Sequence, residues 1–260
     1  MDFRFTLIGL IIGFLIGLTG MGGGSLMTPV MILVMGVKPL VAVGTDLAYG
    51  AVTRIVGGAQ HLRQNTVHRK TAYLLALGSV PSTFLGVGLI TNIKQSHPAL
   101  VSGFVVHAIA WALIVVAAVL VAKPLITRRL TNPDWREDLL AWGDRVPWVL
   151  PIIGALVGFL VGLTSVGAGT LIVLALLFLY PRWESKDLVG TDVFHAALLV
   201  SAASIAQFAV GNVNVPMMLS LLLGSVPGVL LGSRLAIGFP EQMLRLSMAS
   251  IMLISGAKLL

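Results

Sequence analysis

The sequence predicts an all-α integral membrane protein made of two homologous halves, and three observations carry that prediction. Of its 260 residues, 57% are hydrophobic and only 10% charged, and its mean hydropathy is +0.98; a water-soluble domain carries about 25% charged residues. Apolar runs cover roughly 40–60, 71–91, 100–121, 188–209, 216–237 and 243–259, each near the ~20 residues that cross the hydrocarbon as a helix. They are continuous and do not alternate, which argues against a β-barrel. Finally, one glycine-rich stretch occurs twice. It reads Gly13-Phe-Leu-Ile-Gly17-Leu-Thr19-Gly20-Met21-Gly22-Gly23-Gly24-Ser25, and returns 145 positions later as Gly158-Phe-Leu-Val-Gly162-Leu-Thr164-Ser165-Val166-Gly167-Ala168-Gly169-Thr170.

Each copy interrupts an apolar segment, where clustered glycine loosens the helix and leaves backbone N–H groups uncovered. Irregular backbone at membrane depth persists only when buried in protein or lining a wet cavity. Paired breaks in two halves point to a transporter's substrate site. Residues 5–18 and 25–36 form arms of about 21 and 18 Å at 1.5 Å per residue, against about 30 Å of hydrocarbon. A re-entrant hairpin with its glycine tip near mid-membrane fits that geometry, and 149–163 with 170–180 repeats it.

The repeat runs on past the glycines. Val43-Gly-Thr-Asp46 returns as Val189-Gly-Thr-Asp192, Ala59-Gln60 as Ala206-Gln207, and Gly78-Ser-Val-Pro81 as Gly224-Ser-Val-Pro227. The halves are therefore 1–122 and 149–260, joined by a basic connector, 123–148, within a single membrane domain. Each half is expected to hold one glycine-broken hairpin and three crossings. That odd count gives inverted repeats, whereas eight transmembrane segments in total would leave the halves parallel. Charge favours inversion: loop 61–70 and the connector are basic and cytoplasmic by the positive-inside rule, while the equivalent loop 211–215 is uncharged and the next turn holds Arg234 and Arg245.

The net charge of +7 sits in short loops, which reads as topology and not as a nucleic-acid surface. Without cysteine there is no disulfide, thiolate nucleophile or thiolate metal site. The sequence calls for no cofactor and no metal, and specifies no oligomeric state. Met1-Asp-Phe-Arg4 and its apolar run lack a signal-cleavage pattern and read as retained.

Intramembrane ionisable groups are costly and need a reason. Asp46 and Asp192 are candidates for helix capping or for proton and substrate handling. His195, three residues after Asp192, shares its face. Arg54 either snorkels or contacts an anion, and His107 reads as core. Gln60 and Gln207 could bind an oxyanion or cross-link helices. Pro81 and Pro227 kink mid-span helices, and Ser79 and Ser225 either rebond the freed carbonyls or face a pathway. Gly9, Gly13 and Gly17, with Gly154, Gly158 and Gly162, form small-residue stripes for close helix packing. At the tips, uncovered N–H groups and the positive ends of the second arms form an anion site from Thr19, Gly22, Gly23, Gly24 and Ser25 on one side and Thr164, Ser165, Gly167, Gly169 and Thr170 on the other.

With its paired glycine segments, paired Val-Gly-Thr-Asp and paired Gly-Ser-Val-Pro, essentially the whole chain resembles the sulfite exporter TauE/SafE family of membrane permeases. The resemblance implies export of small sulfur-containing anions such as sulfite, sulfoacetate or other organosulfonates across the cytoplasmic membrane. The second copy departs from the first at Ser165 and Ala168, which stand for Gly20 and Gly23. No nucleotide-binding Gly-x-x-x-x-Gly-Lys-Ser/Thr occurs, so coupling falls to a proton or to the anion gradient. The alternatives are a passive anion channel and an intramembrane hydrolase, which would need a serine with His107 or His195; no spacing in the sequence pairs them.

Overall fold

The computed structural model describes residues 3–19, 24–130, 147–235 and 241–260. The described residues form the helices α1 (Phe3–Thr19), α2 (Gly24–Leu33), α3 (Pro39–Arg63), α4 (Arg69–Ser96), α5 (Pro98–Leu130), α6 (Val149–Thr164), α7 (Thr170–Leu179), α8 (Ser185–Ala209), α9 (Val215–Leu235) and α10 (Glu241–Leu259). No strand occurs among the described residues. Helices α3, α4, α5, α8 and α9 are each long and apolar enough to cross a membrane. The sixth expected crossing, α10, has 19 residues and carries Arg245 and Lys258. Helices α1, α6 and α7 are apolar but shorter. Helix α5 continues through Lys123 to Leu130, and residues 131–146 of the connector lie outside the described residues.

Polarity is turned inside out relative to a soluble globule. Leu77, Leu85, Trp111, Leu156, Ile205 and Leu230 are exposed, whereas Thr45, Asp46, Ser79, Asp192, His195 and Gln207 are buried. Lipid can solvate the former and nothing in hydrocarbon can solvate the latter, so the polar set must satisfy itself inside.

The most extensive helix pairs, α1 with α9, α4 with α6, α3 with α8 and α5 with α10, each join one half to the other. The glycine stripes explain two of them. Gly9, Gly13 and Gly17 of α1 face the backbone of Leu221, Ser225 and Val229, and Gly224, Gly228 and Gly232 of α9 face Thr6, Leu10 and Phe14 in return. The numbers rise together, so the pair is parallel. Gly154, Gly158 and Gly162 of α6 meet Leu75, Ser79 and Thr83 of α4 in the same parallel sense. Helices α3 and α8 run antiparallel instead: Gly50 meets Val200, Gly57 meets Val193 and Gly58 meets Phe194.

The loop after α3 recurs after α8. Asn65 and Gly211 both take a left-handed backbone, φ 56° and 71°, a conformation asparagine and glycine tolerate after a helix end. Each loop is held by the opposite half. The His68 N–H donates to Thr191 Oγ1 and the Asn214 N–H to Thr45 Oγ1, both at 3.0 Å. Gly44 faces the Asn212 carbonyl and Gly190 that of Thr66. The glycine and threonine of each Gly-Thr-Asp are thus docking residues, a role the sequence reading missed although the repeat marked them.

Candidate substrate site at the helical breaks

The second break is described in full. Helix α6 ends at Thr164, whose hydroxyl donates to the Leu160 carbonyl (2.8 Å) and accepts from the Val166 N–H (3.2 Å). Ser165 turns into the left-handed region at φ 64° and Gly167 reaches φ 97°, which only glycine adopts without strain. Gly169 then leads into α7, where Thr170 is partly buried. Thr164 is spent on its own helix, so of this tip's side chains Ser165 is the one that reaches across. Of the first break, Gly22 and Gly23 lie outside the described residues, as do the side chains of Thr19 and Ser25, and Gly24 is the first residue of α2.

Two carboxylates meet these breaks from α3 and α8. Asp46 Oδ2 accepts hydrogen bonds from Thr28 Oγ1 on α2 (2.5 Å) and from Ser165 Oγ at the opposite tip (2.8 Å). A β-carbon placed on Gly169 would lie 3.3 Å from Asp192 Oδ2, so the second carboxylate stands at the N-terminus of α7. Both aspartates lie inside their helices, whose N-cap positions are Lys38 and Glu184, so neither caps its own helix. Each keeps a buried oxygen, Oδ1, without a partner among the described residues.

His195 sits fully buried one turn beyond Asp192, with Nε2 2.9 Å from Ser79 Oγ of α4 and Nδ1 unpartnered. Its positional counterpart in the first half is Tyr49, which faces Ser225 of α9. The structure therefore does pair a serine with a histidine, across 116 residues of sequence. The contact recurs with tyrosine in the other half, so in both places it bridges one half to the other. Ser79 and Ser225 do not rebond the carbonyls of Leu77 and Leu223 that Pro81 and Pro227 free, since Ser225 Oγ donates to Leu222. Both prolines lie inside helices, as expected.

Arg54 lies on α3 with Nη1 buried and unpartnered. Gln207 is buried and its Oε1 accepts from Asn212 Nδ2 at 2.8 Å. The matching contact in the first half is His61 Nδ1 with Thr66 Oγ1 at 2.9 Å, so the structural counterpart of Gln207 is His61. Gln60, expected to share its role, is exposed and one residue out of register. His107, expected in the core, is exposed and bonds the Gly103 carbonyl of its own helix at 2.7 Å. Thr28 escaped the sequence reading because its position in the second copy is Val173, so no repeat signal marked it.

The family profile described as sulfite exporter TauE/SafE matches residues 5–259. The chain is 40% identical over 260 residues to a Bacillus subtilis (strain 168) protein named probable membrane transporter protein YjnA, covering 100% of both. It is 27% identical to probable membrane transporter protein YunE of the same organism, over 94% of this chain and 90% of that one. It is 23% identical to probable membrane transporter protein MJ0441 of Methanocaldococcus jannaschii, over 96% and 92%. No solved structure matches.

Proposed function

Because the chain belongs to the sulfite exporter TauE/SafE family of membrane transporters, we propose that it is a secondary transporter exporting a small sulfur-containing oxyanion, sulfite or an organosulfonate such as sulfoacetate, across the cytoplasmic membrane. The observation that carries this reading is the junction of Ser165 with Asp46, which ties the second break to the first half beside Thr28 of the first hairpin. Substrate binds beside this junction, between the halves, and the glycine breaks supply backbone N–H groups and positive helix ends. The breaks are tips of re-entrant hairpins, and Asp46 or Asp192 is where a proton enters the cycle. Such chemistry needs no covalent step, so the protein is not an enzyme.

The halves are inverted repeats. The antiparallel run of α3 against α8, helices at matching positions of the two halves, supports this. Accessible tags at 61–70 and 211–215 should then report opposite compartments, and a tag in 123–148 should agree with 61–70. Labelling of 61–70 and 211–215 from one side would overturn the inversion.

Purified protein in liposomes should take up labelled sulfite or methanesulfonate saturably, exchange it against unlabelled anion, and respond to a pH gradient. Linear flux without counter-exchange would identify a channel, and no flux of either anion would sink the substrate class.

A further inference from the structure

Three buried polar atoms without partners lie on the packed pair α3 and α8, Arg54 Nη1, Asp192 Oδ1 and His195 Nδ1, and Arg54 is near enough to act electrostatically on both of the others. From these we infer that Arg54, Asp192 and His195 form a site for one singly charged sulfonate-type oxyanion, occupied together with one proton on Asp192. The inference rests on the proposal that the protein moves such anions.

A guanidinium stays charged, and within a membrane-crossing helix it needs partners for its N–H groups. Arg54 has no ion pair among the described residues, and the charged groups acting on it are Asp192 and, less strongly, Asp46. Its level is set by the antiparallel register: Gly50 meets Val200 and Gly57 meets Val193, which brackets Arg54 opposite residues 193–200, the stretch that holds His195 and begins one residue past Asp192. Those two residues are 5% and 0% exposed, so bulk water does not serve their open valences. On the remaining side Gly169 brings the start of α7 against Asp192; the Leu171 N–H there donates to the Gly167 carbonyl and the Val173 N–H to that of Gly169, so what this end offers is chiefly the positive end of the helix. A fixed cation, a ring nitrogen and a helix N-terminus are the donor set that a tetrahedral oxyanion takes.

Charge sets the proton. Arg54 and ionised Asp192 cancel; an added monoanion leaves one uncompensated negative charge in low dielectric, and a proton on Asp192 removes it. Other groups do not compete for that function. Helix α4 presents Ser79 to His195 and Tyr73 to Phe194, α6 and α7 carry no titratable residue, Asp46 faces Thr28 and Ser165, and Lys186 and Asp187 lie at the start of α8. The repeat does not duplicate the site, because at the symmetry-related place Val200 and Tyr49 stand where Arg54 and His195 stand here. One anion per chain follows.

Methanesulfonate is the probe, since it stays a monoanion at all working pH and any pH dependence belongs to the protein. In calorimetry on purified, monodisperse protein, wild type should bind it more tightly as pH falls. Arg54→Gln should lose at least about tenfold in affinity, the scale of one charge-assisted hydrogen bond. Arg54→Met, in which Asp192 takes up a proton in place of its lost counter-charge, should remain folded at low pH and still not bind. Asp192→Asn should bind with the pH dependence gone. Wild-type affinity in either Arg54 variant, or surviving pH dependence in Asp192→Asn, overturns the inference. Liposomes separate the two readings: no anion flux in wild type defeats the proposed function, whereas wild-type flux that persists in Arg54→Gln defeats only this site.

Discussion

Gly158→Val is expected to leave no monodisperse protein in detergent, while Gly103→Val leaves yield and thermal midpoint unchanged. At Gly158 a β-carbon would lie 2.6 Å from the Cα of Ser79, a backbone atom that cannot rotate away. The neighbouring approaches at Gly154 and Gly162, and those of Gly78 and Gly86 from the other side, fix α4 and α6 along one seam, so yielding at one level opens the rest. Overpacking a well-packed core costs about 1–3 kcal/mol, and here valine's two methyls follow a β-carbon that already does not fit. In a membrane, close packing is a main force between helices. Gly103, in contrast, has nothing within 4 Å of the same added atom. Fluorescence-detected size exclusion measures the outcome; a monodisperse Gly158→Val peak with wild-type melting would mean that α4 and α6 are not packed backbone to backbone.

Those glycines show what the sequence could and could not convey. A stripe at four-residue spacing reveals that something lies close, because only a missing side chain permits it, and the charge swap between loops 61–70 and 211–215 pointed to opposed halves before any helix was placed. The partner is another matter. Gly9, Gly13 and Gly17 dock on α9, some two hundred residues along, and nothing local encodes that distance. The repeat itself proved informative where both copies keep a residue, as at Asp46 and Asp192, and silent where they differ. Thr28 has Val173 in its place, Arg54 has Val200, and His195 has Tyr49, so the features that make the two breaks unequal carried no repeat signal. Aligning Gln60 with Gln207 erred by one position because a shared glutamine outweighed the loop geometry, which pairs His61 with Gln207.

Ser165→Ala is expected to destabilise the wild type by about 1.5–3 kcal/mol, the range for a hydrogen bond to a charged group, and to cost almost nothing further once Asp46 is leucine. The hydroxyl of Ser165 reaches Asp46 Oδ2 at 2.8 Å beside that of Thr28, so one carboxylate oxygen holds a tip of one half and an arm of the other. Either single variant carries additional terms. Alanine at φ 64° is strained, and leucine both removes a buried charge, which is favourable, and leaves two hydroxyls without an acceptor, which is not. A double-mutant cycle cancels the backbone strain, the lost charge and the orphaned Thr28 hydroxyl, which are the same in both backgrounds; the Ser165 hydroxyl left without an acceptor by leucine is part of the measured coupling. The measurement is reversible unfolding of the four proteins in mixed micelles, read as free energy and not only as midpoint. Equal costs of Ser165→Ala with aspartate and with leucine at 46 would mean the two halves are not latched through this carboxylate. A coupling of the expected size, together with retained methanesulfonate binding but slowed exchange in Ser165→Ala, would make Asp46 the joint between hairpins and leave Asp192 as the group that titrates with the substrate.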